Sequence, residues 1–330
     1  MKPDFIRFLS KFLLFLLPLL TLVGYAEVRL RGVANGYGTK RASLERQLDS
    51  VEVLVLGSSH AYNGIDPNCL SFRAFNLAYV SQSTYYDTRL IRKYLDRMPR
   101  LRLVLVETNY FSLWDQLANT NQSWRDFFYL HFWGIRYRNL AWFDLRRVSY
   151  VALYTLPITL QYALHNFNVS PSRDSLPSLA DPEACPNGFG CCPADTTTDL
   201  ACVGDSWGKA RVQYHDSCIK ASNLSANIAD LDTMLDELGR RHVRVVFVTM
   251  PACDCYSRYL NPAIKLRNEQ VIDSLCSKHG CGRADYLTDR RFVCSDFSDG
   301  DHLNFRGAQK LSRILDRDVV AGPTEPRVAR

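Results

Sequence analysis

Two segments far apart in the chain carry groups whose types and spacing could do chemistry. Gly57-Ser58-Ser59-His60 follows directly on an apolar run, and Asp299-Gly300-Asp301-His302-Leu303-Asn304 lies near the C-terminus. Together they supply a serine, a histidine and a carboxylate. A hydroxyl attacks a carbonyl only once its proton has somewhere to go. An imidazole takes that proton, and a carboxylate fixes the imidazole's tautomer and steadies its positive charge. An Asp three residues before a His in a short loop can fold back onto the ring, so the second segment could hold both base and orienter. Asp299 is the favoured orienter, and Asp301 is its rival or a cap for the helix that follows. His60 and Asn63 flank the serine and could touch a substrate or bond locally. The Asp-x-Asp-His cluster has the donors of a metal site, yet no further ligand block accompanies it, so no metal is assigned.

These groups need a scaffold that brings them together. Val51–Leu56, Leu101–Val106 and His242–Val248 are near-continuous apolar runs, which suit parallel strands covered on both faces. Ala74–Leu77 and Ala284–Leu287 are shorter candidates. Helical periodicity fills the spaces at Tyr85–Met98, Ile228–Arg240 and Pro262–Lys278, and a last helix runs from about Asn304, a possible cap, to Asp318. Strand–helix alternation of this kind predicts an α/β fold with a parallel sheet and right-handed crossovers. In such a sheet the loops after the strands' carboxyl ends converge on one edge, where ligands bind. Ser58 and Ser59 leave the first strand there, Asn109 lies just past the Leu101–Val106 strand, and Asp299 and His302 precede the last helix.

Two blocks interrupt the rhythm and together form an insertion at about 111–220. The part at 111–165 is rich in Trp, Tyr, Phe and Leu and reads as helical. The part at 166–220 is rich in Pro, Ser, Asp and Cys and reads as an irregular excursion.

The chain has 330 residues, 47% hydrophobic and 22% charged, with a formal net charge of +6. A substantial core is expected and wholesale disorder is excluded. No basic patch interleaved with aromatics points to nucleic acid. Residues 1–30 read as an address: Lys2, Arg7 and Lys11 precede an apolar stretch from Phe12 to Ala26. That is either a retained signal anchor or a signal peptide cleaved after Gly24-Tyr25-Ala26, and both send residues 31–330 out of the cytoplasm. Eleven cysteines agree with export and favour disulfides. Cys253-x-Cys255 and Cys276-x4-Cys281 are imperfect zinc spacings that keep a metal alternative open. The pairing is left open.

The arrangement resembles the SGNH (GDSL-like) hydrolase family, whose members carry four short blocks on a flavodoxin-like sheet. Gly57-Ser58-Ser59 is similar to the first block, with Ser58 in the usual Asp position and Ser59 as the implied nucleophile. Asn76-Leu77-Ala78 resembles the second, with Ala78 in place of the Gly whose N–H serves the oxyanion hole. Glu107-Thr108-Asn109-Tyr110 resembles the third and implies Asn109 as a side-chain oxyanion donor. Asp299-Gly300-Asp301-His302 matches the fourth.

The run Gly57-Ser58-Ser59-His60-Ala61-Tyr62-Asn63-Gly64-Ile65-Asp66-Pro67 resembles the membrane-anchored branch that works beside membrane-bound O-acyltransferases, of the teichoic acid D-alanylation and alginate acetylation type. The resemblance implies a three-layer α/β/α sandwich with helical and Cys-rich insertions and a triad of Ser59, His302 and Asp299. It also implies an oxyanion hole from Ser59, Ala78 and Asn109, and no cofactor. The expected substrate is an acylated cell-envelope glycan or an acyl donor, handled at the periplasmic face by hydrolysis or transfer, with a membrane O-acyltransferase as possible partner. The alternative is a catalytically weak scaffold of the same fold that binds glycan or that partner.

Overall fold

The computed structural model describes residues 3–33, 35–154, 185–190 and 204–321. Cys191, Cys192, Cys202 and most of the Cys-rich part of the insertion lie outside the described residues. Two compact units partition the chain: residues 1–38 with 127–182, and residues 39–126 with 183–330.

The second unit holds a five-stranded parallel sheet. Its strands are β1 (Val53–Leu56), β2 (Ala74–Asn76), β3 (Leu103–Glu107), β4 (Arg244–Thr249) and β5 (Gly282–Asp285), in the order β2-β1-β3-β4-β5. Every residue of β1, β2 and β3 is buried, as their apolar runs require. The helices connecting them cover both faces, making a three-layer α/β/α sandwich. The strand order reverses between β1 and β3. Loops leaving the carboxyl ends of those two strands therefore diverge and open a crevice.

The helices of this unit are α3 (Ser59–Gly64), α4 (Thr84–Tyr94), α7 (Asp205–Cys218), α8 (Ala221–Arg240), α10 (Pro262–His279) and α11 (Phe305–Leu315), with a short α9 (Asp254–Ser257). α8 packs against α4 and α10, and α3 packs against α11. In α11 the buried positions Ala308, Leu311, Ser312 and Leu315 recur at three and four residues and seat one face on the core. Asn304 is its N-cap, accepting the Gly307 N–H at 3.0 Å. The capping role considered for Asp301 therefore falls to Asn304.

The first unit contains α1 (Pro3–Arg31), the start of α2 (Gly36–Glu45), the end of the short helix α5 (Arg125–Phe128), the short α6 (Tyr150–Leu153), and a π-helical turn at Tyr129–Trp133. α1 is long and apolar enough to cross a membrane, and most of its apolar side chains are exposed, with Ala26 and Leu30 near its C-terminal end buried. The aromatic block forms short helical turns rather than a long helix over its described residues. In contrast, Asp205–Cys218, expected to be irregular, is a regular helix.

Candidate active site

β1 ends at Leu56, and Gly57 turns the chain at φ +139°, a conformation that side chains disfavour. A Cβ there would also come within 2.5 Å of the Glu107 side chain. This glycine lets the chain break sharply from strand to helix, so that Ser58 caps α3 and Ser59 occupies its first position. Glu107, at the end of β3, holds the corner from beneath. Its carboxylate accepts the amides of Ser58 (2.6 Å) and Ala61 (3.3 Å), the Ser58 hydroxyl (3.0 Å) and the Asn109 side-chain amide (2.6 Å). The Gly57 N–H goes to Asp87 of α4 at 3.0 Å. Burial lifts the Asp87 carboxyl to about 7, opposed by its bond from Gln82 and aided by the nearby Glu107 charge.

The second half of the site is the loop before α11. Asp299 Oδ1 accepts the backbone N–H groups of Asp301 (3.0 Å) and His302 (2.8 Å), which folds the loop back on itself. Ser298 donates its N–H to the His302 carbonyl at 2.9 Å, and Phe297 bridges Leu303. The His302 ring is thereby fixed with Nδ1 toward Asp299, at 3.0 and 3.1 Å from the two oxygens, and Nε2 toward Ser59 Oγ at 2.8 Å. Serine, imidazole and carboxylate stand in line. Asp301 also approaches Nδ1, at 3.4 Å.

Asp301 is the centre of a buried charge network. Arg211 of α7 donates through Nε to both of its oxygens at 3.0 and 3.1 Å, and His60 Nε2 bonds it at 3.0 Å. His215, one turn after Arg211, lies 3.6 Å away and bonds the Tyr256 hydroxyl at 2.6 Å. The His60 ring stacks flat on His302 with centroids 4.4 Å apart. Burial favours the neutral form of each group, but the attraction between them wins. His302 is pushed up to about 10, chiefly by the Asp301 charge and the bond to Asp299. Asp301 is held well below its ordinary 3.8 by the His302 and His60 charges. For His215 burial prevails and its pKa falls well below 6.5.

His60, Asp301 and His302 also bring three donor groups within 4.8 Å of one another. The Arg211 guanidinium on the same carboxylate already supplies the positive charge a metal ion would bring there. Among the described residues the cysteines of the two imperfect zinc spacings do not gather into a ligand cluster.

The other expected site residues take definite places. His60 is 5% exposed and engaged on both ring nitrogens, so it supports the site from behind. Asn63 is half-buried on α3 beside Gly190. The Ala78 N–H donates to Asn76 Oδ1 at 3.1 Å. The Asn109 amide nitrogen lies 2.6 Å from Glu107 Oε1 and 3.3 Å from Ser58 Oγ. Both groups are thus committed to internal hydrogen bonds. The Ser59 N–H, in the first turn of α3, has no acceptor within its own helix. Sequence reasoning missed Arg211 and His215. Their i, i+4 spacing would have set them on one helical face, but the segment around them reads as irregular.

No protein-family model matches the chain, and no curated protein matches it. Among solved structures, one match is a Bacteroides fragilis protein provisionally named an acylhydrolase. It is 9% identical with a TM-score of 0.39, covering 84% of this chain and 94% of that one.

Proposed function

We propose that the chain is a serine acyl-ester enzyme of the SGNH type, held at the outer face of a membrane by α1. The observation that carries this is the 2.8 Å hydrogen bond between Ser59 Oγ and His302 Nε2, with Nδ1 of the same ring on Asp299 at 3.0 Å. Ser59 attacks an acyl carbonyl as its proton passes to Nε2, Asp299 holds the resulting imidazolium in place, and Nε2 returns the proton to the departing oxygen as the ester C–O bond breaks and the acyl-enzyme forms. The Ser59 N–H is the first donor to the oxyanion. Ala78 N–H and Asn109 Nδ2 join it by exchanging their present acceptors, Asn76 and Glu107, for the developing charge. One such donor is worth about 3 kcal/mol of barrier.

The acyl-enzyme then gives its acyl group to water or to a sugar hydroxyl, and a cell-envelope glycan is the proposed substrate class. Support for the location comes from the apolar α1 behind a basic start, and support for the glycan comes from the resemblance of the Gly57–Pro67 run. Intact mass after exposure to an activated acetyl ester tests both steps. A trapped acyl-Ser59 whose release is hastened by an acylatable glycan marks a transferase, and release indifferent to glycan marks an esterase. The second reading, a scaffold without turnover, draws on the committed Ala78 and Asn109 donors. It requires Ser59→Ala to leave acyl turnover unchanged.

A further inference from the structure

Within the first unit, the segment after the π-helical turn turns large apolar side chains outward. Trp142 is 82% exposed, Phe143 70%, Leu145 68% and Val148 72%, with the Trp142 and Phe143 rings edge to face at 5.8 Å. Scattered apolar residues on a surface are ordinary, but four within seven positions are a patch. Its surroundings are basic. Residues 127–154 contain four arginines (Arg136, Arg138, Arg146 and Arg147) against a single acidic residue, Asp144, which is taken by Arg146 at 2.6 Å. Arg147 donates to the Trp142 carbonyl at 2.7 Å, and its charge helps to lower the Asp144 carboxyl.

The patch is tied to the outer end of α1. Glu27 accepts the hydroxyl of Ser149 and the backbone N–H groups of Tyr150 (2.8 Å) and Val151 (3.2 Å), clasping the start of α6. Arg31 lies over the Tyr150 ring at 5.7 Å. Val148 is therefore one residue from the clasp and Leu145 four. The exposed apolar face of α1 runs up to Tyr25 and Val28, next to Glu27. Where a spanning helix leaves the hydrocarbon, Trp sits at headgroup depth and arginines meet lipid phosphates.

We propose that Trp142, Phe143, Leu145 and Val148 dock into an anionic phospholipid surface beside the point where α1 emerges, with Arg147 and its neighbours on the headgroups. The inference rests on the membrane-anchor part of the proposed function and is independent of the chemistry at Ser59.

The test uses the full chain in lipid nanodiscs containing phosphatidylglycerol, with lipids brominated high on the acyl chain as quenchers of tryptophan fluorescence. Trp142→Phe, a conservative change at an exposed position, isolates the signal. The expected result is quenching in the wild type that is mostly lost in Trp142→Phe and weaker in discs of phosphatidylcholine alone. If the chain enters the disc but Trp142→Phe leaves the quenching unchanged, the patch faces water or a protein and the proposal fails. A chain that does not enter the disc contradicts the anchor, and the patch contact with it.

Discussion

His302 has two carboxylates on one nitrogen, and that decides its behaviour. A general base must be neutral, yet Asp301 and Asp299 stabilise the imidazolium and raise its pKa to about 10. If His302 is the base, the neutral form it needs should become more populated as pH rises. Hydrolysis of an activated acetyl ester should show kcat/KM climbing well past pH 7, with an acid limb far above an ordinary histidine's about 6.5. A limb at or below that value would remove the two-carboxylate explanation.

Stability should run the other way. A folded pKa raised above the unfolded one adds stability that is complete below about 6.5 and lost as pH climbs through the folded value. The thermal midpoint should fall over the pH range in which activity rises. The two aspartates separate by the same logic. Asp299 is a third exposed, and its hydrogen bonds among the described residues go to its own loop and the His302 ring. Asp299→Asn should cost on the order of 10^3 to 10^4 in kcat with little change in stability. Asp301→Asn strands Arg211 and His60 and should cost about 3–5 kcal/mol of stability while moving the acid limb to lower pH. Denaturant melts and pH profiles on the same two variants distinguish these roles.

Among the elements, the β1–α3 corner has the least room for change. Gly57→Ala sets a Cβ against Glu107 at positive φ and should destabilise by at least about 1–3 kcal/mol, the cost of a strained backbone alone. It should also displace Ser59, so kcat falls more than stability does. Asn304→Ala removes a cap worth about 1 kcal/mol and should lower stability while the dyad stays aligned.

The elements that the sequence made legible are those built on apolar burial. β1 lies within its predicted run and β3 runs one residue past its own, to Glu107, because both faces are covered, and α10 ends within a residue of its expected end. α8 begins seven residues before Ile228, because its first two turns dock through amides rather than apolar side chains. Asn223 bonds the Trp114 carbonyl, and Asn227 bonds those of Leu113 and Asp115. β5 lies two residues earlier than expected. It is an edge strand with half-exposed residues and carries no apolar signal.

For the molecule as a whole, the approach of His302 to Asp299 and Ser59 was readable because the His and Asp are local and the serine follows a strand. The network behind it was not. Arg211 and Asp301 are ninety residues apart, and nothing short of the tertiary fold puts a cation on that carboxylate. Oxidation state is the other whole-molecule property. The Cys276 and Cys281 thiols share a hydrogen bond across the turn into β5, which lowers Cys276 and, with burial, raises Cys281. In an oxidising compartment they should join, and non-reducing peptide mass mapping should recover that link. An exported sample with both thiols free would count against that link.

The proposed nucleophile, Ser59, is best tested by active-site labelling. The folded protein is treated with a fluorophosphonate and its mass is followed, with the adduct placed by peptide mapping. The expected result is a single adduct on Ser59, absent in Ser59→Ala and much slower to form in His302→Ala, with kcat for the acetyl ester reduced on the order of 10^6 in Ser59→Ala. An unlabelled Ser59 in folded protein, or acyl turnover that survives Ser59→Ala, would contradict the assignment.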